Sequence, residues 1–309
     1  TILMELADII RKADDKSQTR EELVTRTFTQ IKHLLQVATD YAFDKNLWQN
    51  YLTFLLITNE NPFSITCEKV GANEGSVNYF AKSDFKAFME LFHYDFSALE
   101  EYLGIDCFTR LSNYKAIGKK ELMYNKNVSE KVRMLSEKLA AAADENEFFD
   151  AVTGFYKAYG VGMFGLNKAF RIQSREDGGV NFCAINNMDA VMLDDLIGYE
   201  IQKKKLVDNT LAFVEGKKAN NVLLFGDSGT GKSTSIKAIV NEFYDQGLRM
   251  IEIYKHQFKD LSAVIAQIKN RNYRFIIYMD DLSFEEFEIE YKFLKAVIEG
   301  GVETKPDNI

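Results

Sequence analysis

Residues 226–233 read GDSGTGKS and fit the pattern G-x-x-x-x-G-K-[ST]. Gly226, Gly229 and Gly231 allow the backbone to curl so that successive N–H groups face one anion. An amphipathic segment follows, so a helix should start at that anion and add the pull of its positive end. Lys232 is expected to reach the β- and γ-phosphates of a nucleotide, and Ser233 to place its hydroxyl on Mg²⁺. Asp227, Ser228, Thr230 and Thr234 complete the residues expected to line the phosphates. The competing reading is a glycine-rich strand-to-helix turn with no ligand.

A magnesium site needs a further oxygen ligand, and FIIYM-Asp280-Asp281 supplies one 47 residues after Ser233 (280 − 233). An apolar run ending in an acid is a buried strand with a carboxylate at its C-terminal edge, where α/β sheets bind ligands. Asp280 is expected to hold Mg²⁺ through water, and Asp281 to polarise the attacking water. Glu285 and Glu286 are the alternative bases, and helix capping is the structural alternative for the Asp pair. Ile197, Gly198 and Tyr199, just ahead of a helix, are placed to cover an adenine face, unless that helix merely joins two domains.

These residues need elements to carry them. Strands are expected at NVLLFG (221–226), LRMIEIY (248–254) and RFIIYMDD (274–281). Between and after them lie helices with Ile236, Ile239, Val240 and Phe243, then Leu261, Val264, Ile265 and Ile268, then Phe287, Tyr291, Leu294 and Ile298. That alternation predicts a parallel sheet covered by helices, with a further helix near 198–214. Residues 1–160 read as mostly helical. Apolar residues recur at helical spacing at Phe28, Ile31, Leu35 and Ala38, at Phe85, Phe88, Met89 and Phe92, at Val128, Val132, Leu135 and Leu139, and at Phe148, Val152, Phe155 and Tyr159. Pro62 in NENPFS interrupts the pattern. The many aromatics there are expected to fill a helical core, with a partner-docking groove as the alternative. GVGMFG (160–165) fits G-x-G-x-x-G, but it follows a helix, so Gly160 is read as a helix C-cap and not as part of a dinucleotide site. SREDGGVNFCAINN (174–187) reads as a junction, which puts a helical domain at 1–185 and an α/β domain at 186–309.

Bulk properties narrow the classes. Hydrophobic residues are 46% and charged residues 27% of the 309-residue chain, as in ordinary globular proteins. A net charge of −8 argues against a protein built to coat nucleic acid. Cys67, Cys107 and Cys183 are far apart and form no CxxC pair, which argues against a zinc or disulfide framework and fits a reducing cytoplasm. His33, His93 and His256 are isolated and read as ordinary surface or core residues. No apolar run reaches the roughly 18 residues that span a bilayer. The chain starts at Thr1, so a longer protein is expected.

Taken together, LIGYE, GDSGTGKS and FIIYMDD resemble the AAA-type branch of P-loop ATPases over residues 196–309. ANNVLLFGDSGTGKS, RFIIYMDDLSFEE and YKFLKAVIEGG are more closely similar to a family of AAA-type ATP-binding proteins known only as a domain of unknown function. NENPFS and YGVGMFGLNKAFRI extend that likeness into the first domain. The resemblance implies an α/β P-loop (AAA-type) parallel sheet module behind a mostly α-helical N-terminal domain. It also implies strand order 5-1-4-3-2, with the fourth strand beginning just after Ile309. The module is therefore expected to be incomplete, with 221–226 and 274–281 about 10 Å apart, two strand spacings. Asp280-Asp281 stands where AAA-type modules carry Asp-Glu, which implies slow hydrolysis. The leading expectation is an ATP- and Mg²⁺-dependent ATPase whose nucleotide state controls docking of a protein partner or a neighbouring copy of a homo-oligomer. The alternatives are a nucleotide-binding switch or scaffold with little hydrolysis, and a helicase-loader-like ATPase on DNA. A small-molecule kinase would need an acceptor pocket and lid, of which the sequence carries no mark.

Overall fold

The structure is a computed structural model that describes residues 1–73, 75–116, 125–186, 188–280, 282, 291–295 and 306–309. The chain divides into two compact units, Thr1–Leu166 and Asn167–Ile309. The boundary lies at 166/167 and not at 185/186. Residues 174–187 are not a junction, because 174–184 carry the turn and the second arm of a β-hairpin in the second unit's sheet.

The first unit is helical. Its helices are α1 (Ile2–Asp14), α2 (Arg20–Tyr41), α3 (Leu47–Thr58), α4 (Pro62–Val70), α5 (Ser76–Phe92), α6 (Ser97–Leu103), α7 (Cys107–Ser112), α8 (Lys126–Ala141), α9 (Glu145–Tyr159) and α10 (Gly162–Leu166). Local chemistry sets their ends. Thr19 and Glu22 close a capping box at the head of α2. The break at NENPFS is the gap between α3 and α4. There Asn61 and Ser64 cap each other's backbone and Pro62 occupies the first turn, where its missing N–H costs nothing.

Val128, Val132, Leu135 and Leu139 are all buried, as are Phe148, Val152 and Phe155. On α2 the buried stripe is Leu23, Thr27, Ile31, Leu34 and Ala38, while Phe28 is 49% exposed. The expected face is therefore rotated by about one residue. Phe85, Phe92, Phe148 and Phe149 meet in edge-on and tilted pairs with centroids 5.8–6.2 Å apart, the geometry that ring quadrupoles favour. These four rings are core, whereas Phe28, Tyr79, Phe80 and Tyr94 are exposed. Gly160 (φ 79°) ends α9, and a Cβ on Gly165 would lie 2.8 Å from the Gly160 backbone. The GVGMFG glycines thus let a chain reverse closely on itself.

The second unit holds a four-stranded sheet, β1 (Ala169–Ser174), β2 (Val180–Ala184), β3 (Leu248–Glu252) and β4 (Arg274–Tyr278), in the order β2-β1-β3-β4. β1 and β2 are an antiparallel hairpin, and β1, β3 and β4 run parallel. The helices are α11 (Glu200–Val214), α12 (Lys232–Phe243) and α13 (Leu261–Ile268). Ile239, Val240 and Phe243 of α12 pack with Ala169, Leu206, Leu248 and Met250. The two strands expected at 248–254 and 274–281 are present, shorter at their C-terminal ends.

The sheet is mixed, and the hairpin 169–184 lies where the implied order 5-1-4-3-2 leaves an edge. Residues 221–226 form no strand: Leu223 is 70% and Phe225 87% exposed. Backbone pairing explains both. β1 and β4 occupy the two edges of β3, and at the outer edge of β4 the Phe275 N–H donates to Asn308 O at 2.8 Å. No described residue offers 221–225 a ladder. The helix expected around Phe287 and Ile298 lies largely outside the described residues.

Burial pushes the Cys67 thiol above its usual range, and burial with the Glu100 carboxylate pushes Cys107 up to about 11. A raised pKa means less thiolate at a given pH. At pH 8 a thiol-alkylating reagent should therefore modify the half-exposed Cys183 first, and Cys67 and Cys107 only in denaturant. Peptide mass spectrometry checks this, and labelling of Cys107 as fast as Cys183 would contradict it.

Candidate phosphate and metal site

Three glycines shape residues 226–231, each with positive φ: Gly226 at 140°, Gly229 at 77° and Gly231 at 80°. Thr230 donates its hydroxyl proton to Asp227 O at 2.9 Å and tightens the loop. Gly231 is the N-cap of α12, in the left-handed region, so Lys232 and Ser233 open the helix. The first N–H groups of a helix have no partner within it, and the helix dipole makes that end attractive to an anion. Lys232 folds back over the loop. Its ammonium donates to Gly226 O at 3.0 Å and Asp227 O at 2.7 Å.

The sheet brings the second component. β4 ends at Tyr278, and two residues on Asp280 meets the head of α12. Ser233 Oγ donates to Asp280 Oδ2 at 3.4 Å, across 47 residues of sequence. A serine hydroxyl and a carboxylate at this spacing are hard oxygen donors suited to Mg²⁺, which usually takes one or two protein ligands and fills the rest with water and phosphate. Among the described residues no three His, Cys, Asp or Glu side chains converge, so a protein-only metal cage is not formed there. Asp281, Glu285 and Glu286 lie outside the described residues.

The 196–199 turn reaches the same loop. Asn241 on α12 donates to Asp189 O and Val191 O at 2.8 and 2.9 Å, and Lys237 pairs with Asp189 at 2.6 Å. These bonds lay residues 189–196 along α12. Leu196 then comes within 3.6 Å of where a Cβ on Gly231 would stand. Beyond it, Gly198 (φ 87°) and Tyr199 (φ 56°) turn the chain into α11, leaving Ile197 96% exposed and Tyr199 more than half exposed. So 226–234, Asp280 and the turn at 196 are one cluster, with Ile197 and Tyr199 free at its rim.

Tyr278 joins this cluster and was not among the expected site residues. Its phenol oxygen is buried beside Ser233 and Asp280 without completing a hydrogen bond. Burial pushes it up to about 12, Asp280 adds to the rise, and Ser233 opposes it. Such a buried, unmatched hydroxyl costs about 1–3 kcal/mol. The signal was legible: residue 278 shares a strand side with residue 280. Leu196, Asp189 and Asn241 carried no comparable mark, because their role depends on a long-range path along α12.

With this geometry in view, the family model described as "Protein of unknown function (DUF815)" matches residues 166–309. The match starts at the boundary between the two units. No curated protein and no solved structure matches the chain.

Gly231→Ala would force an L-residue to φ 80° while its methyl meets only ordinary contact with Leu196. The loss should be about 1–2 kcal/mol of second-unit stability, from backbone strain alone. Urea unfolding followed by a probe in that unit measures it, and an unchanged midpoint would argue against the left-handed loop.

Proposed function

We propose that the second unit binds a magnesium–nucleoside triphosphate, with the exposed apolar rim at Ile197 and Tyr199 covering adenine and so selecting ATP, and hydrolyses it slowly as an AAA-type P-loop ATPase. The observation that carries this reading is the approach of Ser233 to Asp280 beside a loop of left-handed glycines at the head of α12. A metal ion, when bound, supplies charge neutralisation and a fixed orientation for the phosphates.

The chain's own residues would do the rest. Backbone N–H groups of 227–233 hold phosphate oxygens. The Lys232 ammonium leaves two carbonyls of its own loop for the β- and γ-phosphates, exchanging neutral partners for anionic ones. Ser233 and Asp280 hold the cation between them. Asp281 is proposed to orient the attacking water, with an arginine from a neighbouring copy stabilising developing charge. The nucleotide state would then bias docking of a protein partner.

The shorter Asp281 in place of Glu favours a second reading, a nucleotide-binding switch with little turnover. Titration with ATP and Mg²⁺, together with phosphate release, separates the two. Lys232→Ala should weaken Mg-ATP binding by about a hundredfold, the scale of a charged-group contact. Asp281→Asn should keep binding and lose at least about tenfold in turnover. Equal binding by Lys232→Ala would refute the site, and equal turnover by Asp281→Asn would remove that residue's role. Tight binding by the unmodified protein with no phosphate release would select the switch.

A further inference from the structure

Tyr278 is the last residue of β4 and the register partner of Glu252 on β3. The Glu252 carboxylate is already engaged: Arg171 Nε donates to it at 2.6 Å and the Tyr254 hydroxyl at 3.3 Å. On the other side stand Ser233 and Asp280, close to the phenol but unbonded to it. The one bond between those two is long, 3.4 Å against the 2.7–2.8 Å usual for O–H···O. So a buried donor with no acceptor sits next to a carboxylate whose bond to Ser233 is long.

From this geometry we infer that Tyr278 is a positioning residue for the cation: its hydroxyl donates to Asp280 when that carboxylate turns to a divalent ion at Ser233. The inference rests on the nucleotide reading above. A carboxylate has about four lone-pair sites, so the oxygen facing away from a cation can still accept a proton bond. That bond fixes which oxygen faces the cation. It also removes the cost of an unmatched buried hydroxyl. A ligand shifts an equilibrium only by what it gains in one arrangement over another, and here the gain is confined to the cation-loaded arrangement. Tyr278 would therefore tune the metal's contribution to binding and leave metal-free contacts to the phosphates untouched.

The test is calorimetric titration of the full chain with ATP, once with Mg²⁺ and once with EDTA, on the unmodified protein and on Tyr278→Phe. The variant should bind metal-free ATP within about twofold of the original and Mg-ATP about tenfold more weakly, the scale of one hydrogen bond. Its ligand-free Tm should be equal or higher, since an unmatched hydroxyl has been removed. Tyr254→Phe, which takes a hydroxyl from Glu252 and not from Asp280, should leave the Mg²⁺ effect unchanged. An unaltered Mg²⁺ effect in Tyr278→Phe, an equal loss with and without Mg²⁺, or a lower ligand-free Tm would each overturn the inference. If the unmodified protein binds ATP under neither condition, the nucleotide reading fails first and this inference falls with it.

Discussion

Strand β3 has a neighbour on each edge, and the second unit is arranged around that fact. Leu248, Arg249, Met250 and Ile251 are all buried, so the strand is covered on both faces as well. Even its one cation is absorbed. The Arg249 guanidinium stacks over the Tyr244 and Tyr273 rings at 4.1 and 4.5 Å and donates to the carbonyls of Tyr244 and Leu248. Arg suits such a place because its planar group is weakly hydrated and stacks on aromatic faces. With β3 central, β4 is held parallel beside it, and its C-terminal end delivers Tyr278 and Asp280 to the head of α12.

That delivery puts groups of unlike chemistry within reach of one another. The glycine loop offers backbone dipoles, Lys232 an ammonium, Ser233 and Asp280 a pair of hard oxygens, and Tyr278 a proton without an acceptor. Lys232 rests on neutral carbonyls, the weaker class of partner for an ammonium. On the proposed reading, both it and the phenol gain when a magnesium–nucleotide arrives.

The first unit follows simpler rules. Side-chain caps start α1 to α4, α8 and α9, and the rings of Phe85, Phe92, Phe148 and Phe149 interlock in the interior. Polar groups that are buried there are matched. Glu100 accepts from the backbone N–H groups of Phe108 and Thr109 and from the Thr109 hydroxyl, and Glu68 accepts from the Val161 N–H. Neither acid needs a ligand to explain its burial, which leaves the chemistry-bearing residues concentrated in the second unit.

Sequence alone determined what depends on near neighbours. The glycine pattern at 226–231, the acid after an apolar run at 280, the helix cap at Gly160 and the four-residue rhythm of 128–139 are local. Backbone conformation, capping and burial face are set there within a few residues. What tertiary structure decided is which strand ends up beside which. NVLLF has every local mark of a strand, yet residues 221–226 form none, while Val180–Ala184 of the polar, glycine-bearing stretch joins the sheet. A strand exists only against a partner edge, and β1 took the edge of β3 that local propensity could not assign. The same non-local pairing brought Tyr278 and Leu196 to the loop, because a side chain's neighbours across a sheet or along a helix are fixed by packing and not by its own type.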